Sequence, residues 1–300
     1  MPGDATPTAA APTVALHSHS FTPVLAAGEV ELGAVLRFFG GLDVEVVELS
    51  DAHVQQAGLE SVRAALHALG MHVVCYDVAA DFVTDDPGTR RGELEKLQRG
   101  LERAAVLGSE HVLTYPGLPR PGIDPAAVRG WFAEALRACL PLARHLGVTI
   151  TIPDVGVAAE LCGTSDHLNA ICDAVGPELR VAYDVGNFLL AGEDPLRALD
   201  RLAPRIAHVH LKDWRVFPPD AAPPRGTYVG LDGRHYLGLA LGEGVLDLPA
   251  ALRRLAGLGY QGCLSIEYEG TGDPWQAVRQ GLAYLRRLLA AWPSPASPAG

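Results

Sequence analysis

The stretch RIAHVHLKDW (205–214) puts two histidines two residues apart in an apolar run and follows them at once with Lys212 and Asp213. Side chains alternate along a strand, so His208 and His210 share one face while Val209 takes the other. Two further β-type runs end in acids: YDVGN places Asp184, and SIEYEG places Glu267 and Glu269. Carboxylate, imidazole and carboxylate brought together suit a divalent cation that takes oxygen and nitrogen ligands, of the Mn, Mg, Co or Zn kind. Lys212 next to such a centre would stabilise a developing oxyanion. His208 lies one layer deeper than His210 and is grouped with the substrate-binding residues, with support of a ligand or plain packing as its other readings. His19, two after His17, is expected to line a pocket, and His17 to fill core. Glu48 closes its own run, as a substrate contact or an ion-pair partner at the mouth. Asn187 reads as a contact to a ligand hydroxyl or as a turn residue beside Gly186.

These residues need a frame that gathers strand ends. Eight short β-type runs, at 13–21, 42–50, 71–79, 110–117, 147–155, 179–187, 205–213 and 262–270, alternate with helix-period segments. Asp124-Pro125, Asp194-Pro195 and Asp273-Pro274 each join a capping carboxylate to a proline suited to the first helical position. Eight βα units without a composition break point to one (β/α)8 TIM barrel over 13–291, whose chemistry sits at the carboxyl ends of its strands. Residues 1–12 and 292–300 read as loose tails. The Pro/Gly-rich excursion at 216–243 leaves from the same face and reads as a lid, with Tyr228, Arg234, His235 and Tyr236 as its ligand-facing candidates.

Composition removes several classes. A formal net charge of −11 argues against a nucleic-acid partner, which needs clustered Lys and Arg. No apolar run is long enough to span a membrane, and the N-terminus has no signal-peptide pattern, so the expected location is the cytoplasm. Five scattered cysteines suit neither a disulfide framework nor a zinc knuckle. Neither a dinucleotide fingerprint nor a phosphate-binding loop is present. A small-molecule partner remains, and a homo-oligomer is compatible with everything above.

In order and spacing, YDVGNF, RIAHVHLKDW, LGEGVLDLPAALRRL and GYQGCLSIEYEG resemble the sugar phosphate isomerase/epimerase family of xylose-isomerase-like TIM barrels. ADF at 80–82 and AAVLGSEHVLTYPG at 104–117 add to the likeness. The resemblance implies one divalent ion held by Glu, Asp, His and Glu from strands five to eight, with Asp184, His210 and Glu267 on the last three positions. It implies proton abstraction next to a ketone of a sugar, sugar phosphate or cyclitol, with Glu267 and the strand-five acid moving the proton. Strand five departs from that pattern: ITIPDVG has Pro153 where the glutamate should stand, and Asp154 follows it. Asp154 is therefore the expected fourth ligand and second acid–base group, if the strand end twists it inward. The leading expectation is an isomerase or epimerase. The alternatives are an inosose-dehydratase-like lyase, or a sugar-binding barrel that lost activity with its strand-five glutamate.

Overall fold

The computed structural model describes residues 11–292, so the expected tails lie outside the described residues except for positions 11, 12 and 292. Its strands are β1 (Thr13–His17), β2 (Val46–Ser50), β3 (His72–Ala79), β4 (His111–Tyr115), β5 (Thr149–Pro153), β6 (Arg180–Asp184), β7 (Ile206–Leu211), β8 (Asp213–Phe217), β9 (Tyr228–Val229), β10 (His235–Leu239) and β11 (Cys263–Ile266). Strands β1 to β7 and β11 pair in parallel, and β11 meets β1 to close a barrel. Each lies within one of the eight runs marked by composition, and the architecture is a single (β/α)8 TIM barrel. The helix starts follow the local chemistry. Asp124, Asp194 and Asp273 each accept a backbone N–H of the first turn, from Ala126, Arg197 and Trp275 respectively, with proline next in the chain.

The main apolar core lies between the strands and the surrounding helices. The barrel interior is filled by a smaller set, including Ala15, Val74, Cys75, Leu113, Ala182 and Cys263. Above this layer the wall turns polar, because strand-end residues there need no apolar neighbour.

Register decides which polar groups meet. Between β6 and β7 the pairing shifts by one residue after Val181, so Ala182 lies level with His208 and Asp184 with His210. An unshifted ladder would pair Asp184 with Val209, whose side chain faces the helices. A second shift, between β2 and β3 after Val47, sets Glu48 level with Cys75 and Ser50 level with Asp77. Such bulges re-aim side chains at barrel rims.

The excursion after β7 is more ordered than a lid loop: β8, β10 and β9 form a three-stranded antiparallel sheet. It folds because alternate residues bury Trp214 and Tyr236 together with Leu190. At its root the buried Asp213 carboxylate accepts backbone N–H groups from Trp214, Gly242, Gly244 and Leu246 at 2.9, 3.0, 2.9 and 3.1 Å. Bonds to a charged acceptor contribute about 1.5–3 kcal/mol each, and orphaned buried donors add a desolvation cost. Asp213→Ala should therefore lower the unfolding free energy by about 3 kcal/mol or more. It should also open residues 214–245 to limited proteolysis before the barrel melts. Unchanged stability and cleavage would show that the carboxylate does not hold the sheet.

Candidate active site

The carboxyl ends of the strands enclose a cavity of about 520 Å³. Asp184, His210 and Glu267 meet at its floor, each offering a ligand atom within 4.8 Å of the others. Asp184 is shaped by its turn: Oδ1 accepts the N–H groups of Gly186 at 2.8 Å and Asn187 at 3.1 Å. Its Oδ2 is buried with no aligned hydrogen-bond donor. That oxygen lies 3.7 Å from His210 Nδ1 and 2.9 Å from Lys212 Nζ. Glu267 Oε2 is 3.4 Å from His210 Nδ1 and 2.8 Å from Lys212 Nζ. Lys212 also pairs with Glu269. Burial works against the Lys212 ammonium, but Asp184, Glu267 and Glu269 outweigh it and hold its pKa well above the ordinary value.

His210 uses its other nitrogen below. Nε2 lies 2.8 Å from Glu48 Oε1, while Glu48 Oε2 is 2.9 Å from His208 Nε2. Glu48 is fully buried between the two imidazoles. Burial raises its pKa, yet His210, His208 and His17 together hold it well below the carboxylate range. The fixed Nε2 contact leaves Nδ1 as the nitrogen that faces Asp184 and Glu267. A carboxylate behind a ligating imidazole is the usual support for a metal-binding histidine.

The expected substrate contacts divide. His19 lines the cavity with its side chain 43% exposed, and Asn187 lines it while donating from Nδ2 to the Asp154 carbonyl at 2.9 Å. Glu48 and His208 do not reach the cavity; both lie beneath its floor, paired to each other. The reason is strand length: β2 continues to Ser50, so Glu48 is an interior residue rather than the closing one. Of the four excursion candidates Tyr228 lines the cavity, whereas Arg234 pairs with Asp232 and Tyr236 packs on Trp214.

Asp154 stands apart from the trio. Pro153, level with Ala182, takes the inward position on β5, and Asp154 Oδ1 accepts the backbone N–H of Asp184 at 2.9 Å. Burial and the neighbouring Asp184 push its pKa well above the usual range, which favours the neutral carboxyl. The proline does not bend the strand end enough to bring this shorter acid beside Glu267 and His210.

Two residues stand on the opposite wall: His17, expected to fill core, and Asp77, which the sequence reading does not single out. His17 and Asp77 both line the cavity, with His17 Nε2 2.6 Å from Asp77 Oδ2 and His17 Nδ1 3.8 Å from Glu267 Oε1. Burial lowers the His17 pKa, but Asp77, Glu48 and Glu267 raise it to about 9. Asp77 near the end of MHVVCYDVA carried the same strand-end signal as Asp184. His53, held by Ser18 and Thr22, also faces the cavity. Burial and the nearby His17 and His19 lower its pKa to about 4, so it stays neutral.

The donor set fits a divalent cation. Two carboxylate oxygens and one oriented imidazole nitrogen converge in a buried pocket, and one of those oxygens has no hydrogen bond. Three protein ligands leave coordination positions for a substrate. Glu267 also belongs to a second grouping, with His19 and Glu269, on the solvent side of the trio.

Known proteins share this fold. The rhizopine catabolism protein MocC of Rhizobium meliloti is 32% identical over 217 residues, 66% of this chain and 65% of its own length. Inosose dehydratase of Geobacillus thermodenitrificans is 25% identical over 127 residues, 41% of this chain and 43% of its own. These matches thus span from under half to about two thirds of the relatives' lengths. A solved structure of the IOLI protein with a bound zinc atom superposes with a TM-score of 0.74 at 15% identity, covering 93% of this chain and 99% of that one. Sugar epimerases share the fold as well. The family model of xylose isomerase-like TIM barrels matches residues 36–288, and the chain belongs to that family.

Proposed function

We propose that the protein is a divalent-metal-dependent enzyme that removes a proton beside the ketone of a small polyol, a cyclitol or sugar, and expels water from the neighbouring carbon. The observation that carries this reading is the convergence of Asp184 Oδ2, His210 Nδ1 and Glu267 Oε2, with Glu48 behind the imidazole. A divalent cation bound there would act as a Lewis acid on the carbonyl. Glu267 directs Oε2 to the trio and Oε1 toward His17 and His19, so Oε1 is the oxygen free to take a proton from carbon. Lys212 offers its ammonium to the oxygen on which charge develops. The neutral His53, with His19, Asn187 and Tyr228, offers hydrogen-bonding groups to hydroxyls, as a neutral polyol requires.

Water loss is favoured over epimerisation by strand five. Inverting a carbon calls for proton removal on one face and delivery on the other. The inward position that would hold the second acid is Pro153, and Asp154 is fully buried with Oδ1 on the Asp184 amide. The inosose dehydratases among the relatives point the same way.

The metal reading has a proton signature. Burial disfavours a charged His210, but Glu48, Asp184 and Glu267 outweigh it and raise its pKa well above 6.5. The metal-free imidazole is therefore protonated at pH 7, and an incoming ion must expel that proton. Calorimetry of Mn, Co or Zn binding in buffers of different ionisation enthalpy should show release of about one proton per ion, with affinity rising as pH rises. Glu48→Gln should weaken binding by about 10–100-fold. Binding that is independent of pH and unaffected by Glu48→Gln would count against His210 as a ligand.

Activity is tested by incubating the metal-loaded protein in heavy water with an inosose, the six-membered cyclic keto-polyol, and separately with a ketohexose. The expected result is deuterium exchange beside the inosose ketone together with loss of water. Epimerised or isomerised ketohexose without dehydration of the inosose would replace the lyase reading with an isomerase.

A further inference from the structure

Dehydration moves two protons, one off carbon and one onto the departing hydroxyl. Glu267 Oε1 accounts for the first. Strand five provides no exposed group for the second: Pro153 has no acid, and Asp154, though it borders the cavity, is fully buried with Oδ1 on the Asp184 amide and Oδ2 unpartnered. The wall formed by β1 and β3 does provide one. His17 lies between two carboxylates, with Nε2 2.6 Å from Asp77 Oδ2 and Nδ1 3.8 Å from Glu267 Oε1, and neither nitrogen makes an aligned hydrogen bond. Its ring is held in place, 2% exposed and with centroids 5.5 Å from those of His19 and His210. Asp77 is the open member of the pair, with 15% of its side chain exposed at the cavity wall.

We infer that Asp77 is the general acid that protonates the departing hydroxyl. The inference rests on the dehydratase reading above. The step balances without any co-reactant. The C–H bond breaks and its proton joins Glu267; the electron pair left on carbon becomes the C=C bond as the neighbouring C–O bond breaks. The hydroxyl leaves as water with the proton of Asp77. Glu267 then gives its proton to water and Asp77 regains one from water, and the starting state is restored. Burial, helped by the nearby Glu48 charge and opposed by His17, raises the Asp77 pKa and favours the protonated acid.

The test follows the two protons separately. Full-length metal-loaded protein is given an inosose in heavy water, exchange beside the ketone is read by NMR, and dehydration by the absorbance of the unsaturated product. Asp77→Asn, near-isosteric, should keep exchange within about threefold of wild type while dehydration falls about 10²–10⁴-fold. Asp77→Glu, which restores an acid at greater reach, should recover at least about tenfold of that loss. The inference is overturned if Asp77→Asn dehydrates within about threefold of wild type. It is equally overturned if a variant with native melting temperature loses exchange and dehydration together, or if Asp77→Glu recovers nothing. If Asp77→Asn does not fold, Asp77→Glu decides: dehydration slowed with exchange intact supports the role, and equal effects on both refute it. A wild type that exchanges without dehydrating, or does neither, refutes the lyase reading itself and this inference with it, a result distinct from any change confined to the variants.

Discussion

A buried carboxylate must be paired, and Glu48 is the residue on which that constraint presses hardest. It has no exposed surface, and desolvating an unpaired charge would cost several kcal/mol. Two imidazoles meet the need by presenting Nε2 to its two oxygens. This choice propagates upward. With Nε2 occupied below, His210 can present only Nδ1 to the cavity, and so the ring's orientation at the floor is set by an acid that never meets the ligand. The same carboxylate contributes to the high pKa of His17. One buried negative charge thereby conditions both the centre that would hold a metal and the neighbouring pair of His17 and Asp77.

The frame of the barrel was readable in the chain because each of its signals is local. Period-two apolar runs marked all eight barrel strands, and Asp-Pro pairs marked helix starts at 124, 194 and 273. Asp184, His210 and Glu267 were legible for a similar reason, since each follows an apolar run whose end can be counted. What stayed hidden depends on register. Glu48 reads as a strand-closing residue until β2 is seen to continue to Ser50, and the displaced pairings after Val47 and Val181 have no signature in composition. Asp77 carried the strand-end signal of Asp184 but is not the closing residue of β3, which runs on for two residues to Ala79. The order within the excursion was also unreadable, because its Pro/Gly content masks a two-residue strand and the pairing partner is Trp214, distant in the chain.

Pro153 shows how a single inward position changes the scope of a barrel mouth. At this place a side chain can ligate, move protons, or simply shape the wall. Proline does only the last. The neighbouring Asp154 is buried, which pushes its pKa up, and turns Oδ1 to a backbone amide. The charge that a glutamate would have supplied is absent from this side, and apart from the buried Asp154 the acidic groups that line the cavity gather along the arc from β6 through β11 and β1 to β3. A ligand therefore meets an asymmetric wall, ionic on one side and largely apolar around Pro153, Val155 and Leu190.

The Asp213 clamp gives the excursion a further property. Both ends of the segment are fastened at one carboxylate, which accepts N–H groups from the outgoing strand and from the returning turn. Mechanical continuity with the barrel is thus concentrated at the root, one residue beyond Lys212, and the chain between is a closed module seated on its own aromatic cluster. A segment fastened in this way can vary in length and composition without transmitting strain to the floor. In such an arrangement the part of the protein that meets the outer end of a ligand is an exchangeable cassette, and evolution or a designer can re-tailor what the barrel recognises while its chemistry stays unaltered.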